Sequence, residues 1–309
     1  MKPKRLKQGD TIKLVAPASC PDLRNLKSGM NYLQEQGFDL KLGDTLKHLT
    51  RYWSFSGTEQ QRADEINRGF RNPKVDAIFC VRGGYGSPQI CDKLDYELIR
   101  ENPKVFVGYS DITSLHLALQ SKTGLVTFHG PMVGTDFGQE PSTYTQKMFQ
   151  NAVSRAKPWT VDNPDKGPLL KVLNEGQSKG TLMGGNLSLI STLMGTPYEP
   201  DLQGKILFLE EVDEPIYAVD RYLTQLRLAN LFEGIVGLII GESVECEPKS
   251  GGSPGLEELV YSFFDGFDIP ILYNLACGHG EDKATLPEGV LAKLDTNRKD
   301  LEILESPVR

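Results

Sequence analysis

A chain of 309 residues, 39% hydrophobic and 24% charged, suits about two domains or one large α/β domain and is too apolar for global disorder. Its 34 basic and 41 acidic residues leave a net charge of −7, without the basic footprint of a nucleic-acid binder. The five cysteines (Cys20, Cys80, Cys91, Cys246 and Cys277) are too few and too widely spaced for a disulfide scaffold or for paired zinc ligands, and they read as reduced thiols.

The amino-terminal stretch MKPKRLKQGDTIKLVAPAS is basic but has no cleavable hydrophobic region. The longest apolar runs, such as IVGLII at 235–240, are far shorter than a bilayer span. The expectation is a cytoplasmic protein with no membrane partner and no nucleic-acid partner. Strands are expected at Ile12–Ala16, Val75–Val81, Lys104–Gly108 and Leu125–Phe128, each nearly continuous in apolar residues, as when both faces of a sheet are covered. Helices are expected between them at Asp22–Gln36, Thr58–Phe70, Pro88–Glu101 and Asp111–Gln120. This alternation argues for an α/β fold whose parallel sheet carries helices on both faces.

Residues 133–178 are dominated by turn chemistry around an isolated helix and read as a connecting region. A second unit begins near Gly180. Lys205–Leu209 and Ile235–Ile240 read as its strands, Pro215–Leu231 and Leu256–Phe264 as helices, and 270–294 as short strands around a glycine turn. The resulting division is 1–135, 136–178 and 179–309.

Four motifs lie where such elements end. In KVFVGYSDITSLHLAL, a buried-type strand runs through Gly108 and Tyr109 to Ser110, Asp111 and a helix. A serine on a strand-to-helix turn, backed by a helix N-terminus, suits nucleophilic attack, although Ile112 stands where the usual G-x-S-x-G pattern has its second glycine. The same pattern is open to a plainer reading, in which Ser110 or Asp111 caps the helix. In Arg82-Gly83-Gly84-Tyr85-Gly86-Ser87, glycines let the backbone approach an anion closely, and Arg82 could grip a carboxylate; a simple tight turn with a surface arginine reads equally well. The motif lacks the Lys-Ser/Thr ending of a P-loop and the dinucleotide spacing.

Glu210 ends the strand KILFLE, where it could orient a histidine or belong to a solvated acidic loop. Successive strand residues face opposite ways, so Glu210 and Glu211 do not both reach one site. In Ala276-Cys277-Gly278-His279-Gly280, an accessible histidine between glycines suits a general base. His129 in TFHGPM is the competing candidate, while His48 and His116 read as surface and helix residues.

Taken together, VAPAS (15–19), SGTEQQRADEINRGF (56–70), AIFCVRGGYGS (77–87), VGYSDITSLHLAL (107–119), HGPM (129–132), GTLMGGNLSLISTLMGTPYEPDLQGKILFLEEVDE (180–214) and GHG (278–280) resemble the LD-carboxypeptidase family of serine peptidases, family S66, over nearly the whole chain. That family includes muramoyltetrapeptide carboxypeptidases and microcin C immunity hydrolases. The resemblance implies a triad of Ser110, Glu210 and His279, with an oxyanion hole at the backbone N–H groups of Gly84 and Asp111. Where many members follow the glutamate with aspartate, this chain has Glu211. It further implies an N-terminal doubly wound α/β domain carrying the serine, a smaller C-terminal swivelling β/α domain carrying Glu and His, and a homodimer.

The implied reaction is hydrolysis of an L,D-peptide bond that frees a terminal D-amino acid from a small murein peptide, with no metal or cofactor. Arg82, Gly83 and Tyr85 are the expected substrate-binding residues. One alternative is a microcin C-type hydrolase acting on aminoacyl-nucleotide analogues. Its members often carry a longer insertion bearing a base-stacking aromatic, and neither Trp53 nor Trp159 lies in an obvious lid. A different class is a non-catalytic protein binding an anion or a peptide on RGGYG.

Overall fold

The computed structural model describes residues 1–48, 51–248 and 254–309. They form two compact units, one of residues 1–157, 285–289 and 306–309, the other of 158–284 and 290–305.

The first unit contains β1 (Thr11–Val15), α1 (Leu23–Glu35), β2 (Asp39–Leu42), α2 (Asp44–Lys47), α3 (Glu59–Arg71), β3 (Ala77–Cys80), α4 (Tyr96–Glu101), β4 (Val105–Gly108), α5 (Thr113–Thr123), β5 (Thr127–His129) and α6 (Thr143–Val153). The second contains β6 (Trp159–Val161), β7 (Lys171–Asn174), β8 (Gln177–Asn186), α7 (Leu187–Thr192), β9 (Lys205–Glu210), α8 (Ile216–Leu228), β10 (Gly237–Gly241), α9 (Leu256–Phe263) and β11 (Ile271–Leu275). The chain then adds β12 (Leu286–Glu288) to the first unit, and β13 (Leu291–Asp295) and β14 (Asp300–Ile303) to the second.

The first sheet runs in the order β12-β5-β4-β3-β1-β2, parallel throughout except for β12, which pairs antiparallel with β5. The order reverses at β1, which makes the sheet doubly wound. Right-handed crossovers then put α1 on one face and α3, α4 and α5 on the other. Sequence chemistry sets the helix starts. Asp22 caps α1 by accepting from the amides of Arg24 and Asn25 at 2.9 and 3.0 Å, and Thr58 with Gln61 forms a capping box on α3.

Several features depart from the sequence reading, among them the strands β6 and β7 inside the expected connecting region. The helix expected at Pro88–Glu101 is broken. A 3₁₀ segment, Ser87–Lys93, ends at Leu94 in extended backbone (φ −79°, ψ 139°), and α4 restarts because the Asp95 carboxylate accepts from the Leu98 amide at 3.0 Å. The short edge strand β2 carries no apolar run that would announce it, its residues being half-buried or exposed. The isolated helix of the 136–178 segment, α6, belongs to the first unit. Its Met148, Ala152 and Val153 are buried, and Phe149 packs edge-on against Phe79 with ring centroids 5.7 Å apart. By packing, therefore, the first unit extends to Lys157 and also takes in 285–289 and 306–309, the last tied back by the Arg309 amide donating to the Pro3 carbonyl at 2.9 Å.

The second sheet has the order β6-β14-β13-β8-β9-β10-β11-β7. Strands β8, β9, β10 and β11 are parallel to one another, and the flanking strands are antiparallel. The interior strands β9 and β10 are buried apart from the half-buried Lys205 at one end. No helix among the described residues is long and apolar enough to cross a membrane.

Candidate active site

In the first unit, the residues singled out by sequence gather at the carboxyl ends of β1, β3 and β4, where the reversal of strand order opens a crevice in such sheets. Ser110 follows β4 with φ +62°, a left-handed conformation that costs a non-glycine residue about 1–2 kcal/mol. It opens a 3₁₀ turn, Ser110–Ile112, that leads into α5. Neither Ser110 nor Asp111 caps that helix through its side chain. The departure at Ile112 also has a packing reason. A Cβ placed on Gly108 would lie 2.8 Å from Ile112 Cγ2 and 3.1 Å from Cys80 Cβ, so Ile112 fills the space that the glycine leaves.

Asp111 is buried and works as a staple. Its carboxylate accepts from the Ser87 amide at 2.8 Å, and its carbonyl accepts from the Ser87 hydroxyl. Burial pushes the Asp111 carboxyl up, while the Ser87 and Gly86 donors and the Arg62 charge pull it back. The glycine turn after β3 is thereby clamped to the serine turn after β4. The turn is crowded: a Cβ on Gly83 would lie 3.1 Å from Ser110 Cβ and 3.2 Å from its Oγ. Gly84 has φ +100°, and a Cβ there would come within 2.3 Å of Ser19 Oγ. Tyr85 is exposed, donates its amide to Ser19 Oγ at 3.3 Å and packs its ring against Phe55 at an interplanar angle of 57°, centroids 4.6 Å apart. Arg82 is exposed, and its Nη1 donates to the Cys20 carbonyl at 3.1 Å.

In the second unit, Glu210 closes β9 and is 1% exposed. Its Oε2 lies 2.7 Å from Nδ1 of His279, a distance that puts the proton on Nδ1 when the carboxylate is ionised. Glu211 faces away, as strand geometry requires. It accepts from Asn186 Nδ2 and the Ser188 amide, both at 2.8 Å, and from its own neighbour Val212 at 3.1 Å. Burial and the adjacent Glu210 push the Glu211 carboxyl up to about 7. The glycines around His279 answer to Glu242. A Cβ on Gly278 would lie 2.1 Å from the Glu242 carbonyl oxygen, and one on Gly280 would lie 1.9 Å from Glu242 Oε2. Cys277 is buried, and burial raises its thiol.

The other histidines have different surroundings. His48 is exposed. His116 sits on α5 as expected but is wholly buried, with Nε2 2.8 Å from the Gly108 carbonyl and its pKa lowered to about 3 by burial. His129 is buried on β5 beside the Tyr109 ring, in register with Gly108. Sequence reasoning overlooked Arg62. This buried side chain donates to the Pro17 carbonyl at 2.5 Å and to the Gly86 carbonyl at 2.9 Å, and so ties the loop after β1 to the glycine turn. The signal was present, since Arg62 falls on the same helical stripe as Ile66 and Phe70, where a charge is out of place.

Two models of the LD-carboxypeptidase family match the chain, the N-terminal domain over residues 12–130 and the C-terminal domain over 179–294. A probable murein peptide carboxypeptidase of Bacillus subtilis strain 168 is 37% identical over 299 residues, covering 96% of this chain and 92% of the relative. The murein tetrapeptide carboxypeptidase of Pseudomonas aeruginosa is 31% identical over 300 residues, covering 93% and 94%. Among solved structures, the microcin C7 self-immunity protein MccF in complex with aspartyl sulfamoyl adenosine superposes with a TM-score of 0.93 at 29% identity, over 100% of both chains. A serine on a strained turn in one matched domain and a carboxylate-bound histidine in the other agree with these matches, and the chain belongs to the LD-carboxypeptidase family.

Proposed function

We propose that this protein is a serine carboxypeptidase that hydrolyses an L,D-peptide bond and releases the terminal D-amino acid of a murein-derived tetrapeptide. The observation that carries the reading is the 2.7 Å contact between the buried Glu210 carboxylate and His279 Nδ1, which leaves Nε2 as the basic nitrogen of the ring. The names of the Bacillus and Pseudomonas relatives support the substrate class.

In this reading His279 takes the proton of Ser110 as its hydroxyl attacks the scissile carbonyl. Glu210 holds the imidazole and stabilises its charged form. The amides of Gly84 and Asp111 donate to the oxyanion, His279 returns the proton to the leaving amine, and water then releases the acyl-enzyme. Arg82 is the proposed anchor for the free carboxylate of the substrate, with Gly83 and Tyr85 beside it. The reading includes a homodimer in the cytoplasm, which sedimentation and fractionation test.

Mass spectrometry of the protein with L-Ala-γ-D-Glu-meso-diaminopimelate-D-Ala tests the activity. Loss of D-Ala, absent with Ser110→Ala and absent for the same peptide ending in L-Ala, is the expected result. A second reading is favoured by the likeness to MccF. It gives the same residues an aminoacyl-nucleotide analogue as substrate, and cleavage of aspartyl sulfamoyl adenosine with no release of D-Ala would replace the first. Binding of the peptide without turnover of either compound would instead mark a non-catalytic protein using RGGYG as a cradle.

A further inference from the structure

The loop that carries His279 is closed at its neck. The Ala284 amide donates to the Ala276 carbonyl at 2.6 Å, and the Ala276 amide donates to Asn163 Oδ1 at 2.8 Å. Lys283, the last residue before the neck closes, is completely buried. Its Nζ donates to the Gly278 carbonyl and, at 3.5 Å, to the Gly280 carbonyl. These carbonyls flank His279 on either side. Glu242 also packs closely against both glycines, and its amide is held by the Leu275 carbonyl at 2.7 Å.

Enclosing an ammonium completely is expensive unless it is hydrogen-bonded, and a surface turn does not require one. Here one donor goes to the Gly278 carbonyl, in the peptide group that joins Gly278 to His279, and another to the Gly280 carbonyl, one peptide beyond those of His279. A lysine serving only to hold the fold could sit anywhere along the loop.

We propose that Lys283 is a positioning residue for His279: through the Gly278 and Gly280 carbonyls it fixes the turn so that Nδ1 meets Glu210. The proposal rests on the reading of His279 as the general base and goes beyond it by naming the group that places that base. The Glu242 carboxyl feels both this ammonium and the Asp282 charge. Burial raises the Glu242 carboxyl, and the Lys283 charge draws it back.

The test compares wild type with Lys283→Met, which preserves length and removes the donors. The first readout needs no substrate. A proton on Nδ1 held by a carboxylate gives a low-field imidazole N–H resonance, assigned here by its loss in His279→Ala. It is expected in wild type and absent or strongly broadened in Lys283→Met. The second readout is D-Ala release, where kcat is expected to fall about 100-fold with KM within about twofold, the cost of a base displaced by about 1 Å. Should Lys283→Met fail to fold, Lys283→Gln retains one amide donor, and a fall in kcat of about tenfold at unchanged KM is expected. A retained resonance with wild-type kcat in a folded variant overturns the proposal. If the wild type does not cleave the peptide, the substrate reading fails, and the resonance still decides the role of Lys283.

Discussion

Nδ1 of His279 lies 2.7 Å from Oε2 of Glu210, although the two residues are 69 positions apart in the chain. Glu211, one position further along, is bonded to Asn186 and Ser188 instead. Two adjacent glutamates at the end of β9 thus have different partners, and the consequence of that difference can be measured.

Glu210→Gln is expected to lower kcat for D-Ala release by about 10⁴-fold, the cost of the equivalent change in Ser-His-Asp enzymes, where the amide stabilises the wrong tautomer. Glu211→Gln is expected to retain most of its activity. Steady-state kinetics on the two variants side by side checks this, and the reverse ranking would move the orienting role to Glu211.

Ser110→Ala is expected to abolish release, with kcat lower by on the order of 10⁶-fold. Ser110→Gly removes the same hydroxyl and also relieves the strain at φ +62°. It should melt higher than Ser110→Ala by a few degrees, corresponding to about 1 kcal/mol. Calorimetry of both variants measures the difference, and equal melting would mean that the turn stores no strain.

Gly83→Ala places a methyl group 3.1 Å from Ser110 Cβ, so the serine must shift by a few tenths of an ångström. The expected outcome is a kcat about tenfold lower with little change in KM, since the nucleophile moves while the carboxylate anchor stays. A KM effect alone would place Gly83 in ground-state binding.

The Glu211 carboxyl titrates near 7 in the folded protein, against about 4.3 in an unfolded chain. Between these values the folded state holds a proton that the unfolded chain has lost. The stability contributed by this group is therefore complete below about pH 4 and is lost as pH rises through about 7. Its full extent is on the order of 3 kcal/mol. Urea denaturation at pH 5 and pH 8 should show a larger fall in stability for wild type than for Glu211→Gln, and parallel falls would remove Glu211 as the source.

Much was determined by sequence alone. Continuous apolar runs at Val105–Gly108 and Lys205–Leu209, Asp22 and Thr58 at helix starts, and glycines around Tyr85 and His279 are local signals, and each acts within a few residues of itself. They announced a parallel sheet with helices on both faces and placed Ser110, Glu210 and His279 at element ends. Only the tertiary structure decided which glutamate meets His279, because two neighbours in a strand are equivalent until the partner on one face is known. It also decided that Asp111 clamps Ser87 rather than capping a helix, and that Arg62 and Lys283 are buried donors to glycine turns. The same holds for α6 and β12, which join the first unit through Phe79 and through pairing with β5. A buried charge or a polar connecting segment reads as surface in sequence, because its partners are carbonyls and rings brought close only when distant segments pack.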